Sequence, residues 1–219
     1  MDYMEKPGGL AVFYHCKISG EGIPNENFAT NVVAIQMRSV RDSGLDVAAN
    51  EFQIGVNGGD GDALTVSCFS PPQSQFHVHG KSARTEIPTQ KVIESWLPSH
   101  PDWYVLYHHT KGVTHPNEAF YTNWRNRMGQ ACVMDWRRCV DDLKSGADAV
   151  GCHWLTPERF PGSITSPFFG GTFWWASAKY LLQLPKLPEP TWENRYEAES
   201  WIGRRRPYPR IVDYYPGWP

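Results

Sequence analysis

Short apolar, β-prone runs recur along this chain, and stretches of helical spacing separate most of them. That alternation constrains the fold most, because strands separated by helices wind into a layered sheet with mainly parallel strands. Residues 10–18 (LAVFYHCKI) read as a buried first strand closed by a Gly/Pro/Asn-rich loop at 19–27. Phe28, Val32 and Ile35, with Val33, Met37 and Val40 beside them, then recur at helical spacing up to Gly44. Phe52, Ile54 and Val56 alternate before Asn57-Gly58-Gly59, and Leu64, Val66 and Cys68 alternate after it, which predicts two strands about a turn. A helix is expected over 88–97, and the apolar run 103–107 is expected as a strand that delivers the chain into His108-His109-Thr110-Lys111-Gly112. A helical pattern runs over 117–143 with Gly129 placed to bend or divide it, followed by a strand at 147–152. The run at 168–176 leads into a helix at 177–182, a last helix is expected over 192–203, and 204–219 reads as an irregular tail. One α/β domain spanning 1–219 accounts for this pattern, with a central mixed, mostly parallel sheet flanked by helices.

A formal net charge of -2 over 219 residues leaves no general basic field for nucleic acid or anionic membranes. The exception is local: Arg204, Arg205, Arg206 and Arg210, interleaved with Tyr208, Tyr214 and Tyr215, form a basic-aromatic patch suited to a polyanion or to closing over a diphosphate. No run approaches the roughly 20 apolar residues of a membrane span, and Met1 to Gly9 lacks an apolar signal core, so a cytoplasmic location is expected. Five scattered cysteines without a C-x-x-C pair give no disulfide framework or metal knuckle. Ten Trp, ten Tyr and ten Phe suit either ring stacking or a large aromatic core.

Three segments together carry a resemblance. Tyr107-His-His-Thr-Lys-Gly112, the string from Gly170-Gly171-Thr172 through Phe173-Trp174-Trp175 to Pro185, and Arg195-Tyr-Glu-Ala-Glu-Ser-Trp-Ile-Gly203 resemble a group of GT-A-type glycosyltransferase-like proteins. In that group an H-T-K-G turn stands where most GT-A enzymes have a D-x-D. The resemblance is strongest over 104–203, with Phe13-Tyr14-His15 and Glu86-Ile-Pro-Thr89 also fitting. It implies a GT-A-like, Rossmann-like domain with a donor half near 8–115 and an acceptor half near 116–203. It also implies a nucleotide-sugar donor without saying which sugar; a UDP-sugar is expected, and the acceptor is left open among a glycan, a protein and a modified nucleic-acid base.

Transfer from such a donor leaves a diphosphate whose growing charge must be stabilised. Lys111 is the leading phosphate ligand, in place of the Mn²⁺ or Mg²⁺ of a D-x-D site; a divalent ion stays possible but is not favoured. Adjacent His108 and His109 at a strand end point to opposite faces, and His109, with Thr110 beside it, is favoured to meet substrate. Tyr14 and His15, and Asn57 and Gly58, end strands where a nucleotide would sit. Gly170, Gly171 and Thr172 suit close approach of backbone to a sugar, and Trp174 and Trp175 offer flat apolar faces. A general base is normally a carboxylate. Glu197 and Glu199 are the candidates, but about 200° of helix separates positions two apart, so only one can face the site, and Glu199 is chosen.

Two other readings compete. Asp60-Gly61-Asp62 spells D-x-D but lies in a Gly-rich connection, where a turn is preferred to a metal site. A metal hydrolase would gather His77, His79, His108 and His109, and a non-catalytic carbohydrate-binding protein would expose the tryptophans.

Overall fold

The structure is a computed structural model and describes residues 8–83, 85–159, 166–191 and 193–217. Nine strands are found among them: β1 Leu10–Cys16, β2 Glu51–Val56, β3 Gln75–Val78, β4 Tyr104–His109, β5 Ala149–Gly151, β6 Trp154–Leu155, β7 Phe168–Phe169, β8 Trp174–Ser177 and β9 Ile211–Asp213. Seven form one sheet in the order β3-β2-β1-β4-β8-β5-β9, while β6 and β7 pair separately. All neighbours in the large sheet run parallel except β8, which is antiparallel to both β4 and β5. The expected mixed, mostly parallel α/β sheet is therefore present.

The helices are α1 Glu26–Asp42, α2 Leu45–Ala48, α3 Asp60–Ser67, α4 Ile87–Trp96, α5 Ala119–Gly129, α6 Trp136–Lys144, α7 Ala178–Leu181 and α8 Arg195–Ser200. In α1, Asn25 accepts a hydrogen bond from the Phe28 amide, and Val32, Val33, Met37 and Val40 turn inward. The long 117–143 pattern is split as Gly129 suggested: α5 stops there, a π-turn covers Gln130–Met134, and α6 follows. Trp192, the expected start of the last helix, lies outside the described residues, and α8 begins at Arg195. Among the described residues no helix is long and apolar enough to cross a membrane.

Two expectations are overturned. Leu64, Val66 and Cys68 lie on and just after helix α3, not on a strand. Only Val66 of the three is buried, and Leu64 is 70% exposed, so their period-two spacing marks no common face. Asp60 and Asp62 occupy the first turn of α3, where acidic side chains suit the helix dipole, and Asp62 Oδ2 accepts from the Gly59 amide at 2.7 Å. The tail is not wholly irregular either: its β9 adds an edge strand parallel to β5.

Strand alternation divides the core into two layers. Val12, Tyr14 and Leu106 pack with α1 and α6, while Ala11, Phe13, Val105 and Tyr107 pack with α4, Trp174 and Trp201. Trp175 enters the first layer and Trp174 the second. The same parity sends His108 toward α1 and His109 toward α4, and this positions the site.

Candidate active site

A cleft of about 290 Å³ opens beyond the carboxyl ends of β1, β2 and β4, the position where open α/β sheets hold ligands. His15, Lys17, Asn57, His109, Thr110, Lys111 and Thr114 line it from the sheet side, Thr85 and Glu86 from the approach to α4, and Tyr196 and Glu199 from α8. Of the residues singled out in the sequence, the fold brings together His15, Asn57, His109, Thr110, Lys111 and Glu199.

Each is held by local structure. His15 Nδ1 is 2.7 Å from Thr89 Oγ1, which also meets His79 Nε2 at 3.0 Å. The Asn57 amide group donates to the Thr85 carbonyl at 2.8 Å, which fixes its rotamer and leaves Oδ1 as an acceptor. Asn57 Oδ1 and Thr85 Oγ1 are buried in the cleft wall and have no hydrogen-bond partner among the described residues. Lys111 Nζ lies 4.3 Å from the Trp124 ring centroid, and the Lys111 carbonyl accepts from Arg125 Nη1 at 2.6 Å. Thr110 donates its amide to the His15 carbonyl at 3.1 Å.

A hydrogen-bonded chain crosses the cleft wall. Tyr107 Oη donates to Glu86 Oε2 at 2.8 Å, Glu86 Oε1 lies 3.1 Å from His109 Nδ1, and His109 Nε2 lies 2.8 Å from the Gly171 carbonyl oxygen. The Glu86 and His109 side chains are only 18% and 11% exposed. Burial pushes the Glu86 carboxyl up to about 7, against the opposing pull of Tyr107 and Lys111. Burial, reinforced by Lys111, holds His109 down to about 3. In the sequence Glu86 stands out only as part of a resembling string and as a weaker candidate beside Thr89; the signal available was an acidic residue at a helix start, two positions before Pro88.

Several expected site residues lie elsewhere. Tyr14 is buried on the α1 side, its hydroxyl donating to Gln36 Oε1 at 2.7 Å, so it cannot stack on a nucleotide in the cleft. Trp174 and Trp175 are core: Trp174 stacks on Tyr107, and Trp175 Nε1 donates to the Cys132 carbonyl at 2.7 Å. Neither presents a face to a sugar. Gly58 is absent from the cleft lining; a Cβ there would stand 2.4 Å from Asp62 Oδ2, so its smallness serves the turn into α3. Gly170, Gly171 and Thr172 are buried behind the cleft, Gly171 at φ +85° and Thr172 at φ +59°, and the turn acts through the Gly171 carbonyl on His109. Glu197 is outside the cleft and ion-paired with Arg204. Arg205 approaches Asp148 at 4.0 Å and Arg206 lies over the Tyr208 ring at 3.9 Å, so the basic patch is tied to its own surroundings.

His77 hydrogen-bonds Gln53 at 2.8 Å, and His108 faces the other side of the sheet. Among the described residues no three His, Cys, Asp or Glu side chains gather in a metal-holding group, which removes the four-histidine cluster.

The buried imidazoles make an acid-stability prediction. Burial lowers His108 and His109 to about 3, so the unfolded chain binds protons more tightly and stability falls as pH drops from about 6.5 toward 3. Glu86 acts with the opposite sign between about 4.5 and 7, so the clean loss is expected from pH 4.5 to 3. We expect a loss on the order of 2–4 kcal/mol there. Thermal melts should show that His108→Leu flattens this acid limb; an unchanged limb would remove His108 as its cause.

No family model matches the chain. A segment of 68 residues, 31% of this chain, is 32% identical to the ribosome maturation factor RimM of Synechococcus sp. strain JA-2-3B'a(2-13), and the match spans only 35% of that protein. The structure of Rv0371c from Mycobacterium tuberculosis H37Rv superposes with a TM-score of 0.50 at 9% identity, over 98% of this chain and 91% of that one. A nucleotide-diphospho-sugar transferase assignment accompanies a structure from Desulfovibrio desulfuricans G20, which aligns at 10% identity over 95% of this chain and 80% of that one with a TM-score of 0.48. At such identities the likeness is one of fold: the chain shares the α/β architecture of Rv0371c.

Proposed function

We propose that the cleft binds a nucleoside diphosphate sugar and transfers its sugar to a hydroxyl-bearing acceptor. The observation that carries this reading is the convergence of Lys111, the fixed acceptor on Asn57 and the carboxylate of Glu199 in one cleft beyond the strand ends. Lys111 neutralises the leaving diphosphate, with Lys17 on the same wall. Asn57 Oδ1 accepts a hydrogen bond from an N–H on the base, as the N3–H of uracil or thymine would give, and a UDP-sugar is the donor we expect. Glu199 lines the cleft and supplies negative charge there for the proton-accepting step, whereas Glu197 lies outside it. The acceptor is a glycan, a protein or a modified nucleic-acid base, and a nucleic-acid acceptor would engage the Arg204 to Arg210 patch.

The test is a thermal-shift panel of UDP-, GDP-, ADP-, CMP- and dTDP-sugars, with and without Mn²⁺. A donor at 100 times its Kd stabilises the fold by about 2.7 kcal/mol. The expected result is a shift with the UDP-sugar, weakened about tenfold in affinity by methylation at uracil N3, the scale of one lost hydrogen bond. If no nucleotide sugar stabilises the protein, the reading fails. If the N3-methyl donor binds as well as the parent, Asn57 does not read the base.

A further inference from the structure

The chain from Tyr107 to Gly171 constrains where one proton can be. The Gly171 carbonyl can only accept, so His109 Nε2, 2.8 Å away, carries a hydrogen. A neutral His109 then has a bare lone pair on Nδ1, and that lone pair faces Glu86 Oε1 at 3.1 Å. An ionised carboxylate there would set lone pair against lone pair, so a proton lies between the two atoms. Tyr107 Oη donates to the other carboxyl oxygen at 2.8 Å, which fixes Oε2 as an acceptor and Oε1 as the oxygen that shares the proton.

We propose that Glu86 and His109 form a one-proton relay that takes the proton of the acceptor hydroxyl during transfer. This rests on the transferase reading. The pair lines the same cleft as Lys111 and Glu199. In the resting site the proton sits on Glu86, in keeping with the burial that favours the neutral form of both groups. During transfer the acceptor oxygen bonds to the anomeric carbon, and the bond from that carbon to the diphosphate breaks, its electron pair leaving with the diphosphate beside Lys111. The acceptor's O–H bond breaks and its proton goes to Glu86 Oε2, while the proton on Oε1 passes to His109 Nδ1. Glu86 ends as a carboxylic acid and His109 as an imidazolium, which burial and Lys111 oppose and Glu199 favours, so the ring is charged only transiently and returns its proton to solvent. The backbone bond to Gly171 is kept throughout, so no ring flip is needed.

Glu86→Gln is the informative variant. Its amide oxygen still accepts from Tyr107 and its amide N–H still donates to His109 Nδ1, so shape and hydrogen bonding survive while the transferable proton is lost. We expect turnover to fall about 10²–10⁴-fold, with donor-induced thermal stabilisation retained. In ¹⁵N-histidine NMR of the resting protein at pH 7, His109 should be a neutral ring protonated at Nε2 in wild type and variant alike. Turnover within threefold of wild type overturns the relay. So does an imidazolium at His109 in the resting wild type, because that ring has no site left to receive a proton. If wild type binds no nucleotide sugar, the transferase reading falls and the relay loses its substrate, whereas the NMR result still decides whether the pair shares one proton.

Discussion

Lys111→Ala is expected to lower kcat/KM on a nucleotide-sugar donor by about 10²–10³-fold, the usual consequence of removing one group aimed at developing charge. The fold should suffer far less. Lys111 makes a cation–π contact with Trp124, and losing it costs about 0.5–1 kcal/mol. Its backbone carbonyl, which holds Arg125, is untouched by the substitution. The two effects separate in one experiment: the unliganded melting temperature barely moves, while the shift induced by donor disappears. Lys111→Met sharpens the comparison, since it keeps most of the apolar stem packed against Trp124 and removes only the charge. A donor-induced shift that survives both substitutions would place the diphosphate away from Lys111 and remove the main support for the proposed chemistry.

A second large effect is expected at Gly55, which pairs with His15 across β1 and β2. A Cβ there would stand 1.8 Å from Thr89 Oγ1 and 2.7 Å from His79 Nε2, so something must move. Thr89 is the hub that holds both His15 and His79, and it sits on α4 directly after the Glu86 turn. Gly55→Ala should destabilise the protein by about 3 kcal/mol, a fall of about 6–12 °C in Tm. It should also weaken donor binding by displacing His15. The named clash makes the cause testable: with Thr89→Ala present, Gly55→Ala should cost clearly less than it does alone, a coupling that a double-mutant cycle measures. Strictly additive costs would mean that Thr89 is not what the new methyl meets.

The layered α/β fold was legible because its signals are long-range and redundant: apolar runs at β1 and β4, and between them a helix whose apolar positions recur at helical spacing. The cleft was legible in part for the same reason, since a strand running into His108-His109-Thr110-Lys111 must end at the carboxyl edge of the sheet. What failed was the assignment of faces. β1 and β4 are central strands covered on both sides, so hydrophobic alternation says nothing about which residue meets a ligand, and Tyr14 turned out to be core. Trp174 and Trp175 misled similarly, since β8 lies inside the sheet with a packed layer on each side. Period-two spacing failed at Leu64 because an eight-residue helix with one buried position leaves too little pattern to read. Glu86 carries only a weak local mark, its place at a helix start; its setting comes from Tyr107, His109 and Gly171, which are distant in sequence.

β9 has a consequence for how this molecule is made. It pairs with β5, and Asp213 receives the amides of His153 and Trp154 at 2.8 Å each, so the stretch just after β5 is secured by residues about 60 positions later. During synthesis, β5 reaches the ribosome exit long before its partner exists. Until then its outer backbone edge stays open to any extended peptide nearby, the kind of edge that recruits neighbours into aggregates. The tail thus behaves as a clasp, and nascent chains stalled before residue 211 should be the ones that chaperones retain.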